Sequence, residues 1–204
     1  MGKVVFNNSV SLDGFVGGPN DSPENPLGDG GEGLFAWYFS GDTPYTMPGN
    51  VPAFKVSRAS AEHLAATTKT IGVMVAGRRM FDIANAWQGN PPGGWPCIIV
   101  THSAPPEWVK EGSPFTFVTD GVESAIAKAR LAAGSKDVAV SSASILQQCL
   151  QAGLIDEIHI DLVPVLLGGG VRLFEHPGTA PLKLETTGAI EGQGVTHLSF
   201  RVVK

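Results

Sequence analysis

The sequence predicts a single-domain α/β protein with a mainly parallel, mixed central sheet and an antiparallel pair at its C-terminal edge. Three observations carry that class. Short apolar runs alternate with stretches of helical period, so strands are joined by right-handed crossovers over a parallel sheet. Two of the helical stretches stop at glycines, Gly134 and Gly153, where a helix end favours a left-handed residue. The last two apolar runs, 183–187 and 196–203, have no helical stretch between them and therefore pair antiparallel.

Residues 3–12 read as the first strand, ended by the Asp13-Gly14 turn, with a short apolar piece at Phe15 and Val16. Residues 18–50 are dense in Gly and Pro and form a long loop, with one short helix over 34–39. An irregular stretch of that length is more often functional than accidental. A helix over 60–68 takes Ser60 as its N-cap and turns His63 to solvent. The apolar run 71–76 is a buried strand ending in Gly77-Arg78-Arg79, and 80–86 continue as helix or turn up to the breaker at 90–94. Strands follow at 97–101 and 115–118. Residues 121–133 form an amphipathic helix with Val122, Ala125, Ile126, Ala129 and Ala133 on one side. A strand at 138–140 leads through Ser141, Ser142 and Ser144 into a helix over 145–152. The strand 157–165 sets Ile158, Ile160 and Leu162 against His159, Asp161 and Val163, and Gly168-Gly169-Gly170 breaks it. No repeat or linker divides 1–204, which reads as one domain.

Hydrophobic residues at 43% and charged residues at 16% describe a chain with a core, not a disordered one. A formal charge of −5 gives no electrostatic reason to bind nucleic acid or an anionic membrane. No apolar run approaches the ~18 residues of a membrane span, and the first residues lack a signal-peptide pattern, so a cytoplasmic protein is expected. Cys97 and Cys149 match no zinc or redox spacing and read as buried thiols.

In open α/β sheets ligands bind beyond the carboxyl ends of the strands, which selects 9–17, 77–80, 100–103 and 140–146. Gly77 frees the backbone, and Arg78 and Arg79 offer planar forks for phosphate oxygens. Thr101, His102 and Ser103 add hydroxyl and imidazole donors. Ser141, Ser142 and Ser144 precede a helix whose N-terminal N–H groups can receive a pyrophosphate. Singly, such arginines are usually a solvated face and such serines plain caps. Three sites after three strands at one sheet end are what point to a phosphorylated dinucleotide. Asp13 either shapes its turn or serves as an acid near substrate. His159 and Asp161 share a strand face, but two ligands do not make a metal site, and none is expected. His63, His176 and His197 show no partner pattern, and Trp37, Tyr38, Phe39 and Trp87 suit a core as well as a flat-ring cover.

Taken together, the stretches Val10-Ser11-Leu12-Asp13-Gly14-Phe15-Val16, Val75-Ala76-Gly77-Arg78-Arg79-Met80-Phe81 and Val100-Thr101-His102 look familiar. So do Gln147 to His159 after Ser144, and Leu162 through Gly168-Gly169-Gly170 to Phe174. In this order, over nearly the whole chain, they resemble the dihydrofolate-reductase-like family, of the bacterial RibD C-terminal type from riboflavin biosynthesis. The resemblance implies a three-layer fold and hydride transfer from NADPH to a small heterocycle, a pterin or a ribosylamino-pyrimidine. It implies that Ser9, Val16 and Gly17 border the nicotinamide, with the following loop as a lid. Gly77, Arg78 and Arg79 would approach the cofactor phosphates, and Thr101 and His102 the adenosine ribose and its 2′-phosphate, hence NADPH over NADH. Val140, Ser141, Ser142, Ser144, Ile145 and Leu146 would line the pyrophosphate groove. Leu167, Gly168 and Gly169 would lie near substrate; apart from the resemblance, Asn7 is a candidate on the substrate side and Asp13 the candidate catalytic residue.

The chain departs from the family pattern twice. Ser141-Ser142 stands where two glycines are usual, and no residue matches the acid that protonates dihydropterin in dihydrofolate reductases. Apolar surface on 145–152 and 157–165 suggests a homodimer. Two other readings stay open: a flavin or deazaflavin reductase of the same fold, and a nucleotide-binding protein without turnover.

Overall fold

The computed structural model describes residues 2–49, 51–175 and 181–204, so His176 lies outside the described residues. In chain order the strands and helices begin with β1 (Val4–Ser11), β2 (Phe15–Gly17), β3 (Thr43–Tyr45), β4 (Phe54–Val56), α1 (Arg58–Thr70) and β5 (Ile71–Gly77). Then come α2 (Arg78–Ile83), β6 (Cys97–Val100), β7 (Phe115–Val118), α3 (Val122–Ala133), β8 (Asp137–Val140) and α4 (Ala143–Gln151). The series closes with β9 (Glu157–Val163), β10 (Val171–Arg172), β11 (Leu184–Gly192) and β12 (Val195–Val202).

Eight of these strands form one sheet in the order β11-β12-β9-β1-β8-β5-β6-β7. From β9 to β7 every described pairing is parallel, while β12 runs antiparallel to both β9 and β11. The parallel sheet with an antiparallel C-terminal edge is thus the observed one. Its parallel part carries near-continuous apolar strands because both faces are covered. On one face α3 and α4 pack over Val4, Phe6, Val73, Val75 and Val138. The predicted α3 stripe is buried in full, and sinking a side chain such as Ile126 is worth ~1.5–3 kcal/mol. On the other face Phe81 of α2 packs with Met74, Ala76, Ile99 and Phe115, and Leu64 of α1 packs with Leu34, Trp37 and Val195. The result is three layers. Among the described residues no helix is long and apolar enough to cross a membrane.

Several expectations need correction. Helix α1 begins at Arg58, and its cap is Ser57, whose Oγ accepts the Ser60 N–H at 3.2 Å. The earlier start turns Ser60, His63 and Leu64 inward as one face, so Ser60 is not a cap and His63 does not face solvent. The short helix in the long loop is 3₁₀, spans Gly31–Phe39, and is followed by the β3–β4 hairpin. Strand β9 stops at Val163 because Pro164 has no N–H to continue the ladder. The apolar side chains Ile145, Leu146, Leu150 and Ile158 are buried within this chain.

Candidate functional site

Three of the turns singled out in the sequence meet at the carboxyl end of the parallel strands. Gly77 closes β5, and its N–H donates to Ser142 Oγ at 2.6 Å. A Cβ at Gly77 would stand 3.4 Å from Ser142 Oγ, Ser144 Oγ and Ile145 Cγ1, so the β5 turn lies directly against the start of α4. Arg78 Nη1 donates to the Ser103 carbonyl at 2.8 Å, and the Thr101 hydroxyl donates to the same oxygen at 2.9 Å. Arg78, Thr101 and Ser142 therefore share one end of the molecule.

Ser142 precedes α4 with φ −121° and ψ 140°, extended backbone that any residue adopts. Serine in place of the usual glycine is therefore unstrained. Its hydroxyl serves Gly77 and makes no cap bond to α4, which leaves the helix's first-turn N–H groups without a side-chain partner. Ser144 is exposed there, as is His102 beside Thr101. Val140, Ile145 and Leu146 have their side chains in the core, so only their backbone can face a ligand. Arg78 Nε is held by Asp82 at 2.8 Å. Arg79 reaches instead across to the loop after β2, where its Nε donates to Asp21 Oδ2 at 3.1 Å.

The residues expected around nicotinamide and substrate divide into two groups. Ser9 is 2% exposed, and its hydroxyl accepts the Trp37 indole N–H at 3.0 Å, so it serves the core and does not line an open surface. Val16 packs against the main core, and Gly17 pairs with Val171 of β10. Gly170 sits at φ +117°, where an added Cβ would come 2.1 Å from the Gly17 carbonyl; glycine alone permits that approach. Asn7 carries a buried Nδ2 with no hydrogen-bond partner. Asp13 accepts the Ser11 hydroxyl at 2.6 Å and the N–H groups of Leu167 and Gly168 at 3.1 and 2.7 Å. The Ser11 bond and those N–H groups hold its carboxyl well down, at about 2, against a smaller opposing effect of desolvation. Asp13 is an anion at neutral pH and has no proton to give; it braces the turn that presents Leu167, Gly168 and Gly169.

Sequence reasoning missed one group altogether. Ser60, His63, Asp161 and His197 meet between α1 and the antiparallel edge. His197 Nδ1 lies 2.6 Å from Asp161 Oδ1, and Ser60 Oγ lies 2.9 Å from His197 Nε2. The His63 and His197 rings stack with centroids 4.3 Å apart. The distances resemble those of a hydrolytic Ser-His-Asp set, but Ser60 is fully buried and no substrate reaches its hydroxyl. The signal lay in the β9–β12 register, which sets His197 opposite Asp161 and which no local pattern reveals. Burial raises both thiols, Cys149 to about 12, so they are inert as the spacing implied.

An open sheet with anion-competent turns at its carboxyl edge and an antiparallel C-terminal hairpin defines the dihydrofolate-reductase-like class. The chain belongs to the RibD C-terminal domain family, whose model matches residues 2–197. It is similar in structure to a putative riboflavin biosynthesis protein from Shewanella sp. PV-4, with a TM-score of 0.69 at 19% identity over 99% of both chains. Dihydrofolate reductase from Enterococcus faecalis, complexed with NADP(H) and RAB-propyl, gives 0.57 at 14% identity over 99% of this chain and 97% of that one. Acinetobacter baumannii RibD also gives 0.57 at 14% identity, over all of this chain and 58% of the longer one. No curated protein matches. Family and fold together are those of a reductase of the riboflavin-pathway type.

Proposed function

We propose that the protein is an NADPH-dependent reductase that passes a hydride to a C=N or C=O bond of a small planar heterocycle, a pterin or a ribosylamino-pyrimidine. The observation that carries this reading is the Gly77–Ser142 contact, which ties the β5 turn that leads into Arg78 to the start of α4, whose first-turn N–H groups have no side-chain partner. That arrangement fits a pyrophosphate: backbone N–H groups and a positive helix end on one side, a planar cationic fork on the other. Ser144 adds an exposed hydroxyl, and we assign the ribose and its 2′-phosphate to the turn of Thr101 and His102, where His102 is the exposed donor.

When bound, the nicotinamide supplies the hydride. The chain's own part is to orient and to exclude water. The Asp13 brace fixes Leu167 and Gly168. Asp13, held as the anion by Ser11, Leu167 and Gly168, is not the group we assign to deliver the proton that follows the hydride.

Titration with NADPH, NADH, FMN and deazaflavin, read by fluorescence and by melting temperature, tests the cofactor. A ligand at 100 times its Kd adds about 2.7 kcal/mol of stability. NADPH is expected to stabilise more than NADH, and to be oxidised when a pterin or pyrimidinone is added. Stabilisation by a flavin alone would overturn the proposal, and tight NADPH binding without oxidation by any such heterocycle would reduce the protein to a nucleotide binder.

A further inference from the structure

We infer that His63, Asp161 and His197 form a site for a divalent transition-metal ion of the zinc type, pinning α1 to the antiparallel edge of the sheet. The three side chains are 7%, 1% and 0% exposed. Two atoms of this buried group, His63 Nε2 and Asp161 Oδ2, have no hydrogen-bond partner. Buried polar atoms are seldom left unpaired, and two vacant ligand atoms in one cluster call for something between them. Two imidazoles and one carboxylate are a donor set that zinc accepts, with one position left for water.

The geometry is close to what an ion needs. One ligand atom from each residue lies within 4.8 Å of the others. Tetrahedral bonds of about 2.0–2.1 Å put ligand atoms roughly 3.3 Å apart, so no pair must close by more than about 1.5 Å. The rings of His63 and His197 already stack with an interplanar angle of 24°. Asp161 and His197 are held opposite each other by the β9–β12 ladder, leaving His63 on α1 as the partner that adjusts.

An outer layer is also in place. Nδ1 of His197 becomes a ligand when its ring proton sits on Nε2, and Ser60 Oγ, 2.9 Å away, accepts it there. Ser60 Oγ is itself held by the Ser57 hydroxyl, which donates to it at 2.9 Å. Ligating histidines are commonly fixed in this way through their second nitrogen. Gly192 keeps the space clear, since a Cβ there would stand 2.4 Å from Ser60 Oγ and 3.3 Å from His197 Nε2.

Cobalt(II) is the probe, added to the full chain after dialysis against a chelator. A single equivalent should bind, give the visible d–d bands of a tetrahedral site, raise the melting temperature, and be displaced by zinc. Ser60→Ala should weaken binding about 10–100-fold, the usual effect of losing an outer partner. His63→Gln should remove the bands, whereas His159→Gln, whose side chain pairs with Ser199, should keep them. Bands absent from the wild-type protein at saturating cobalt would overturn the inference without recourse to any variant. So would bands that survive His63→Gln and vanish in His159→Gln.

Discussion

Neutralising Asp21 should tighten NADPH binding, because that carboxylate competes with phosphate for Arg79. The guanidinium gives Asp21 two side-chain bonds and donates from Nη2 to its backbone carbonyl at 3.1 Å. The Arg79 side chain is 69% exposed and the Asp21 side chain 15%. A pair open to water on one side is worth ~0.2–1 kcal/mol, so Asp21→Asn costs the fold no more than that. The same amount no longer has to be given up when a phosphate recruits Arg79. At 1.4 kcal/mol per tenfold, NADPH should bind about 1.4- to 5-fold tighter. The gain should shrink as salt rises, since both partners are near solvent. Fluorescence titration at low and high salt measures it, and circular dichroism checks that the fold is intact. Arg79→Gln provides the control: in that background Asp21→Asn should change nothing. Wild-type or weaker affinity in Asp21→Asn, or a gain that persists without Arg79, would refute the competition.

The Asp13 carboxyl sits at about 2 in the fold against an ordinary 3.8, so its contribution is present above the higher value and lost as pH falls through the lower. Asp13→Asn should therefore flatten the acid limb of stability in that window, read from denaturant midpoints against pH. The pH profile of turnover above neutrality should not move. Gly192→Ala forces its new methyl group against Ser60 and should cost ~1–3 kcal/mol, seen as a lower melting temperature; an unchanged value would mean that the neighbouring backbone gives way freely. Ser142→Gly deletes the bond to the Gly77 N–H and should destabilise by ~0.5–1.5 kcal/mol, read from denaturant midpoints.

Much of the architecture could be read from residue pattern because buried parallel strands are plain apolar runs. The α3 stripe and the glycines after α3 and α4 behave as their spacing predicts. The β3–β4 hairpin could not be read: Thr43, Pro44 and Tyr45 are too few, and a proline inside a strand argues against one. The turns at Gly77, Arg78, Thr101 and Ser142 were legible because a general rule about strand ends locates them. Ser9 was not, since its partner Trp37 comes from a distant 3₁₀ helix. His63 failed for a related reason. A histidine in a helix rich in Ser, Thr and Ala reads as solvent-facing until β9 and β12 present Asp161 and His197 to it. Polar side chains buried through long-range pairing leave little local trace.

Strand β1 is held between β8 and β9, both of which come from far along the chain. During translation its apolar residues emerge from the ribosome with neither flank available, and the first of those neighbours starts only at Asp137. A nascent chain halted before that point exposes two open strand edges to every other chain nearby. The two edges of β1 are paired only once residues 137–163 have been made.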